Sequence, residues 1–276
     1  MTMQKNSLKQ PKVNIEATVF DIDETLFEMK TKTFTKSAIE ALKKLQQKHI
    51  PVILATGRPP RSASAIFKEG IHPDYTVCTN GHLILDANQN IIYSKRFSSD
   101  LCNRIYEYCK ENDMGLLFKY PDKTYEYIHK DVFDHFYSKI PNGRNNVVFD
   151  NQEEHLKREP NGGNIGSNDI QREAFNKVFN GECIAVRIDE QSSDLVLNGI
   201  SKKTGVEYVL QKLNINPQYV ISFGDNDNDI EINDFVGIGV AMGNCSENLR
   251  KHADFITKRI DEDGVLYALQ HFGLIE

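Results

Sequence analysis

The chain has 276 residues, of which 39% are hydrophobic and 26% are charged, and its formal net charge is −6 at pH 7. This composition is typical of a soluble globular protein with one or two domains. The negative net charge disfavours a general nucleic-acid or anionic-membrane binder. No apolar run approaches the roughly 18 residues that span a bilayer.

Two features predict a cytoplasmic location. Residues 1–12 are polar and lack the apolar core of a secretion signal, so we expect only a frayed tail there. The cysteines are odd in number and have no CxxC spacing, which predicts reduced thiols and neither a disulfide framework nor a zinc site. They are Cys78, Cys102, Cys109, Cys183 and Cys245.

The first third of the chain alternates strands with helices. Residues 17–22, 52–55 and 75–78 are short apolar runs that predict strands. A helix is predicted at residues 36–49, where apolar side chains recur at helical spacing, and another at residues 62–69 after two prolines. This order implies a parallel sheet with right-handed crossovers.

The middle of the chain mixes hairpins with helices, which is typical of a separate α+β unit. Residues 83–86 and 91–93 predict one hairpin, and residues 115–120 and 124–128 predict another strand pair. Residues 160–166 contain three glycines and predict a flexible loop. A phosphate-binding cradle is disfavoured there, because GxxxxGK[ST] spacing is absent. The other elements predicted in this part lie at residues 101–112, 132–140, 170–179, 183–189 and 194–197.

The last third returns to the alternating pattern. Its predicted elements lie at residues 204–213, 219–223, 228–234, 236–241, 246–251, 255–256 and 264–271. The simplest architecture is an α/β fold, a Rossmann-like parallel-sheet core interrupted by an inserted α+β domain. We place the first part of the core at residues 1–83, the insert at 84–194 and the second part of the core at 195–276.

Two predicted core strands end in acidic residues. The first strand ends in Asp21 and Asp23, and the strand at residues 219–223 runs into Asp225. The carboxyl ends of parallel strands meet at one edge of a sheet, so these carboxylates are expected to converge. Buried acids need a partner, and converging oxygens suit Mg²⁺. Asp229 adds negative charge nearby, whereas a cap or turn is the better interpretation of Asp227.

Two smaller signals lie between these acids. Thr56 and Gly57 follow a strand, where a hydroxyl and a glycine let backbone amides approach an anion, although a plain helix cap is the better interpretation of this pair alone. Arg58 is next, and it either faces the site or forms a salt bridge within the fold. Lys202 precedes a helix, where its charge opposes the helix dipole, and a surface lysine is the default interpretation of an isolated lysine.

Taken in order, these residues resemble the four signature motifs of the haloacid dehalogenase superfamily, most closely those of its Cof-type phosphatases. That branch carries a large α+β cap after the third core strand, which here corresponds to the Asn-Gly turn at residues 79–81. The resemblance covers nearly the whole predicted core. The matching residues are Asp21-Ile22-Asp23-Glu24-Thr25, Ala55-Thr56-Gly57-Arg58, Lys202 and Gly224-Asp225-Asn226-Asp227-Asn228-Asp229.

The resemblance implies a role for each matching residue. Asp21 would be the nucleophile that forms an aspartyl-phosphate, and Asp23 would be the general acid and base. The residues that would hold the phosphoryl group are Thr56, Gly57, Arg58 and Lys202. The residues that would bind Mg²⁺ are Asp21, Asp23 through its backbone carbonyl, Asp225, Asn228 and Asp229.

The chain departs from the family pattern at two positions. Glu24 stands where a glycine is common after the second aspartate, and Lys203 stands where a glycine is common after the motif lysine. Lys203 is therefore a second candidate for the phosphate ligand, although the motif spacing favours Lys202.

The resemblance predicts a Mg²⁺-dependent phosphatase that acts on small phosphorylated metabolites, either sugar phosphates or phosphorylated cofactors. The expected partner is thus a small-molecule substrate, with no nucleic acid and no membrane, and the chain is expected to be a monomer or homodimer. Two alternatives stay open. A phosphomutase would need the cap to bind a second phosphate, and a ligand-sensing module would lack turnover.

Overall fold

The computed structural model describes residues 14–129, 131–139, 147–149 and 152–276. The tail expected at residues 1–12 and the last residue of the helix expected at 132–140 lie outside them. The strands are β1 (Ala17–Phe20), β2 (Phe27–Glu28), β3 (Thr33–Phe34), β4 (Val52–Ala55), β5 (Tyr75–Cys78), β6 (Leu83–Asp86), β7 (Ile91–Ser94), β8 (Gly115–Lys119), β9 (Thr124–Ile128), β10 (Val147–Val148), β11 (Gly162–Gly166), β12 (Cys183–Arg187), β13 (Ser192–Leu197), β14 (Val220–Gly224), β15 (Ile238–Ala241) and β16 (Phe255–Ile256). The α-helices are α1 (Lys36–Gln47), α2 (Pro60–Ala63), α3 (Ser99–Glu111), α4 (Asp131–Lys139), α5 (Glu154–Lys157), α6 (Asp169–Val178), α7 (Lys202–Leu213), α8 (Ile230–Phe235), α9 (Glu247–Arg250) and α10 (Gly264–His271).

The larger sheet has the strand order β16-β15-β14-β1-β4-β5-β6-β7. The strands from β16 to β5 are parallel, and β6 and β7 extend the sheet in antiparallel fashion. β1 lies between β14 and β4, and all four of its residues are buried. A parallel strand covered on both faces is apolar throughout, which is why the run before Asp21 has no polar alternation. The predicted α/β fold class is confirmed.

Helices cover both faces of the core sheet. Phe20 and Leu54 point to one face, where they belong to an apolar cluster that includes residues of α1 and α10. Val19 and Ile53 point to the other face and cluster with residues of α7 and α8. Successive strand residues point to opposite faces, so β1 and β4 contribute to two cores at once.

The hairpin of β6 and β7 belongs to the core sheet, because β6 pairs with β5. This differs from our expectation that the insert begins at residue 84. The second boundary also shifts, because β13 runs to Leu197 and pairs with β11 and β12 of the smaller sheet. We propose that the inserted domain spans residues 95–197.

The inserted domain contains a six-stranded sheet with the order β10-β9-β8-β11-β13-β12. Residues of α3 and α6 pack on it in an apolar cluster that includes Ile105, Phe118 and Phe175. The mixture of antiparallel strands and helices agrees with an α+β unit. We call this unit the cap.

The glycine-rich segment expected to form a loop is instead the buried strand β11. β11 pairs with β8 on one side and β13 on the other. A Cβ atom at Gly162 would lie 2.4 Å from the Thr79 side chain of the core, and one at Gly163 would lie 2.7 Å from the Leu117 carbonyl oxygen. The glycines thus permit close packing, and the flexible-loop prediction is wrong.

The two connections between core and cap lie side by side. His82 is fully buried, with Nδ1 2.7 Å from the Thr79 carbonyl oxygen, and its Nε2 accepts a hydrogen bond from the Leu197 backbone N–H. Burial lowers the pKa of His82 to about 4, so the ring is neutral at pH 7. The His82 carbonyl oxygen also accepts from the Lys95 N–H, so this core residue contacts the chain both where it enters the cap and where it leaves it.

The remaining expectations about the chain concern its cysteines and membrane segments. All five cysteines are free thiols, and four of them are buried. Within the described residues, no helix combines the length and apolar character needed to cross a bilayer.

The turn before β6 yields a stability prediction. Gly81 has φ of 100°, and a Cβ atom there would lie 2.1 Å from the Ser201 carbonyl oxygen. Gly181 has φ of 84° with no atom within 4 Å of such a Cβ, so it is a matched control. We expect Gly181→Ala to lower the free energy of unfolding by about 1 kcal/mol through backbone strain alone. Gly81→Ala should cost about 3 kcal/mol or more in urea titrations because it adds a steric clash. Equal losses would contradict this packing.

Candidate active site

Lys202 lies between two carboxylates at the edge of the core sheet where β1 and β14 end. Its Nζ is 2.8 Å from Asp21 Oδ1 and 2.8 Å from Asp229 Oδ1, and only 1% of its surface is exposed. α7 begins at Lys202, two residues before its predicted start, because Ser201 caps it and accepts a hydrogen bond from the Thr204 N–H. The two carboxylates offset the unfavourable position of an ammonium group at a helix N-terminus.

Three carboxylates converge around this lysine. Asp21, Asp225 and Asp229 each offer an oxygen atom within 4.8 Å of the others. Burial raises the pKa of Asp21 to about 7, although Lys202 opposes the shift, and burial raises the pKa of Asp225 well above its ordinary value. Three carboxylates and one ammonium leave two negative charges, which a divalent cation would neutralise. The donor set fits Mg²⁺, a hard cation that prefers oxygen ligands.

The oxygens of the fourth motif, residues 224–229, are not equally available to a cation. Asp229 Oδ1 accepts from Lys202, and its Oδ2 accepts from the backbone N–H groups of Asp225 and Asn226. Asp229 therefore holds the loop and the lysine. Asn228 Oδ1 is buried and has no hydrogen-bond partner among the described residues, so it is an acceptor free for a ligand.

Asp23 forms a bidentate pair with Arg58. Arg58 Nε lies 2.9 Å from Asp23 Oδ2, and Nη2 lies 2.5 Å from Oδ1. The guanidinium also lies over the Phe27 ring, with Cζ 4.6 Å from the ring centroid. Arg58 is buried, whereas 38% of the Asp23 side chain is exposed towards the cavity described below. The structure thus brings Arg58 to the proposed acid, and its role as a phosphate ligand stays a prediction.

Phe27 was not singled out from the sequence. It lies in the short hairpin of β2 and β3, where its ring packs edge-on against Phe34 at a centroid distance of 5.1 Å. Each strand has two residues, too few for a recognisable alternation of apolar and polar side chains. The two aromatic residues are therefore the only sequence feature that points to this hairpin.

Thr56 and Gly57 follow β4 at the same edge of the sheet. Thr56 is fully buried, its N–H donates to the Val77 carbonyl, and its Oγ1 accepts a hydrogen bond from the Arg58 N–H. The hydroxyl hydrogen remains available to donate to an anion.

Glu24 shows why glycine is common at this position in the family. Its φ is 53°, in the left-handed region that disfavours residues with a side chain. The Glu24 side chain accepts a hydrogen bond from the Met29 N–H, which compensates part of that strain within the turn. The bulkier residue is accommodated without displacing Asp23 from Arg58.

A cavity of about 940 Å³ lies between core and cap, and its core wall includes Asp21, Asp23, Arg58, Lys202 and Asp225. Its cap wall includes three polar residues that the sequence did not indicate, Lys119, Asn164 and Asp194. They come from separate strands, and a single polar residue in a strand does not indicate which other residues it will meet.

Asp227 does not belong to the converging carboxylates. It accepts hydrogen bonds from Ser246 and Asn248, in agreement with a structural role.

The two adjacent lysines yield a second prediction. Lys203 forms an i,i+4 pair with Glu207, its Nζ lies 4.6 Å from the centroid of the Phe235 ring, and it is partly exposed. Lys202→Met leaves two buried carboxylates without their cation, so we expect a loss of about 3 to 5 kcal/mol in the free energy of unfolding in chelator. Lys203→Met should cost no more than about 1 kcal/mol, because both of its contacts are partly exposed. The measurement is urea unfolding followed by circular dichroism. Similar losses in both variants would contradict the assignment of Lys202.

The chain matches known proteins over nearly its full length. It is 32% identical to a putative bifunctional phosphatase/peptidyl-prolyl cis-trans isomerase of Streptococcus pyogenes, over 98% of this chain but only 56% of that protein. It is also 30% identical to a putative phosphatase of Bacillus subtilis, over 93% of this chain and 97% of the relative.

Solved structures and a family model agree with these relatives. A protein of Geobacillus kaustophilus matches with a TM-score of 0.81 and 29% identity, over 95% of this chain and 100% of that one. A subclass IIB sugar phosphatase of the haloacid dehalogenase superfamily matches with a TM-score of 0.82 and 26% identity, over 94% of this chain and 100% of that one. The model of the haloacid dehalogenase-like hydrolases matches residues 18–269. This chain belongs to the haloacid dehalogenase-like hydrolases, in their Cof-type phosphatase branch.

Proposed function

We propose that this phosphatase depends on Mg²⁺ and hydrolyses small phosphorylated metabolites through an aspartyl-phosphate on Asp21. The observation that carries the proposal is the buried Lys202 held between Asp21 and Asp229, with Asp225 alongside. A carboxylate nucleophile that must meet an anionic phosphoryl group requires positive charge next to it. Lys202 supplies one such charge within 2.8 Å of the attacking group.

The proposed reaction has two displacements at phosphorus. In the first, the Asp21 oxygen attacks, the ester P–O bond breaks, and Asp23 donates a proton to the leaving oxygen. In the second, Asp23 takes a proton from a water molecule that attacks the phosphorus, which releases phosphate and the Asp21 carboxylate. Lys202 and the Thr56 hydroxyl donate to the phosphoryl oxygens. When bound, Mg²⁺ supplies charge that reduces the repulsion between nucleophile and substrate.

In this scheme, the pairing between Arg58 and Asp23 changes during the reaction. The bidentate pair engages both carboxylate oxygens of Asp23, so it has to loosen when one of them carries a proton. The released guanidinium could then bind a phosphoryl oxygen, the role expected for it from the motif. The pair thus links the protonation of Asp23 to phosphate binding by Arg58.

The cavity and the relatives support small substrates. A volume of about 940 Å³ suits a metabolite enclosed by the cap, which would exclude water from the reacting centre. A similar structure is described as a sugar phosphatase, which favours sugar phosphates over phosphorylated cofactors. We also propose a cytoplasmic enzyme that is a monomer or homodimer.

The test is phosphate release from a panel of phosphorylated metabolites and an aryl phosphate. We expect turnover with Mg²⁺ and none in chelator. Asp21→Asn should lower kcat by about a thousandfold or more with the fold retained, because the nucleophile is lost. Asp227→Asn, in the fourth motif but outside the carboxylate cluster, is the matched control with turnover near wild type. Undiminished activity of Asp21→Asn would refute the mechanism.

A further inference from the structure

Three polar side chains share the cap wall of the active-site cavity. Asn164 of β11 pairs in register with Asp194 of β13, and Lys119 of β8 lies two positions further along, opposite Gly162, so that it points to the same face. All three are buried, with 2%, 7% and 6% of their surfaces exposed. Three neighbouring strands therefore present one polar cluster on the sheet face that covers the core.

This cluster lies directly against the core elements that carry the phosphate-binding residues. Lys119 Nζ is 3.3 Å from the Gly57 carbonyl oxygen, in the loop with Thr56 and Arg58. Asn80 Nδ2, in the core turn between β5 and β6, donates to Asp194 Oδ2 at 2.8 Å. A substrate whose phosphoryl group faces Asp21 would place its ester oxygen and leaving group in the cavity that the cluster lines.

The hydrogen bonds of the cluster leave one donor and one acceptor unused. Asp194 Oδ1 accepts from Lys119 Nζ at 2.6 Å and from Asn164 Nδ2 at 2.7 Å. Lys119 has a third N–H beyond those directed to Asp194 and Gly57. Asn164 Oδ1 is buried with no partner among the described residues, which is unfavourable until a donor reaches it.

The charges in the cluster cancel. Asp194 is in direct contact with Lys119, so the ammonium is already neutralised before any ligand arrives. A second anion would face the Asp194 carboxylate and the Asn164 carbonyl oxygen, both of which repel it. A hydroxyl group fits both unused positions, because it accepts from an ammonium and donates to an amide oxygen.

We propose that Lys119 and Asn164, held in place by Asp194, bind the leaving group of the substrate and select an uncharged hydroxyl-bearing group over a second anion. This inference rests on the proposed phosphatase activity. Lys119 and Asn164 contact the substrate, whereas Asp194 positions them. Within this cluster a second phosphate would meet no net positive charge, which also disfavours a phosphomutase.

The test compares kcat/KM for phenyl phosphate, glucose and mannose 6-phosphates, and fructose 1,6-bisphosphate. We expect one hexose monophosphate to exceed the other two classes at least tenfold. Lys119→Met should lower the ratio of kcat/KM for that hexose phosphate to kcat/KM for phenyl phosphate at least tenfold. Lys177→Met removes one exposed charge from the cap at α6, away from the cavity, and should leave the ratio unchanged.

A second variant keeps the test valid if Lys119→Met misfolds, because that change leaves the buried Asp194 carboxylate without its cationic partner. The double variant Lys119→Met/Asp194→Asn removes both charges together and should show the same fall in ratio. A preference for the bisphosphate, or an equal loss on phenyl phosphate and hexose phosphate in the folded variant, would overturn the inference. Absence of phosphate release from every substrate by the wild type would instead refute the proposed function, and the inference with it.

Discussion

Lys202 places one buried ammonium between Asp21 and Asp229, and the rest of the site is arranged around that contact. Taking these charges out of water is unfavourable unless the groups meet closely. Lys202 lies in the first turn of α7, which follows the cap in the sequence. Its position depends on the packing of Gly81 against Ser201, the residue that caps α7. The core turn between β5 and β6 therefore positions a residue of the active site.

The charge left over at this site explains its chemistry. Asp225 adds a third carboxylate that Lys202 does not contact, and burial raises the pKa of both Asp21 and Asp225. A protein that buries excess negative charge at one edge of a sheet loses stability unless a cation or proton compensates it. The same excess becomes useful when a cation is bound, because the nucleophile then stays ionised beside an anionic substrate.

Residues whose environment is set by the strand they follow could be predicted from sequence. Asp21 and Asp225 end apolar runs, and parallel strands bring such ends together whatever the rest of the fold does. Side-chain contacts that depend on tertiary packing could not be predicted in this way. The Arg58 pair with Asp23 depends on side-chain direction within a turn, and Lys119, Asn164 and Asp194 converge only through strand register.

The clearest wrong prediction from the sequence concerned glycine residues. Residues 160–166 have the composition of a loop, yet Gly162 and Gly163 lie in a buried strand. Glycine is required there because neighbouring segments of the chain approach too closely for a side chain. The same close approach brings the cap sheet onto Thr79 of the core. The hairpin of β6 and β7 was misplaced for a related reason, since a local strand pattern does not say which sheet edge it joins.

The central claim is that Asp21 carries the phosphoryl group during turnover. Asp23→Asn should slow the second displacement more than the first when the substrate is an aryl phosphate, whose good leaving group needs little protonation. Acid-quenched Asp23→Asn protein, digested and examined by mass spectrometry, should therefore carry a phosphoryl adduct on Asp21. Burst release of the aryl alcohol with no adduct on Asp21, or with the adduct on another residue, would contradict the account.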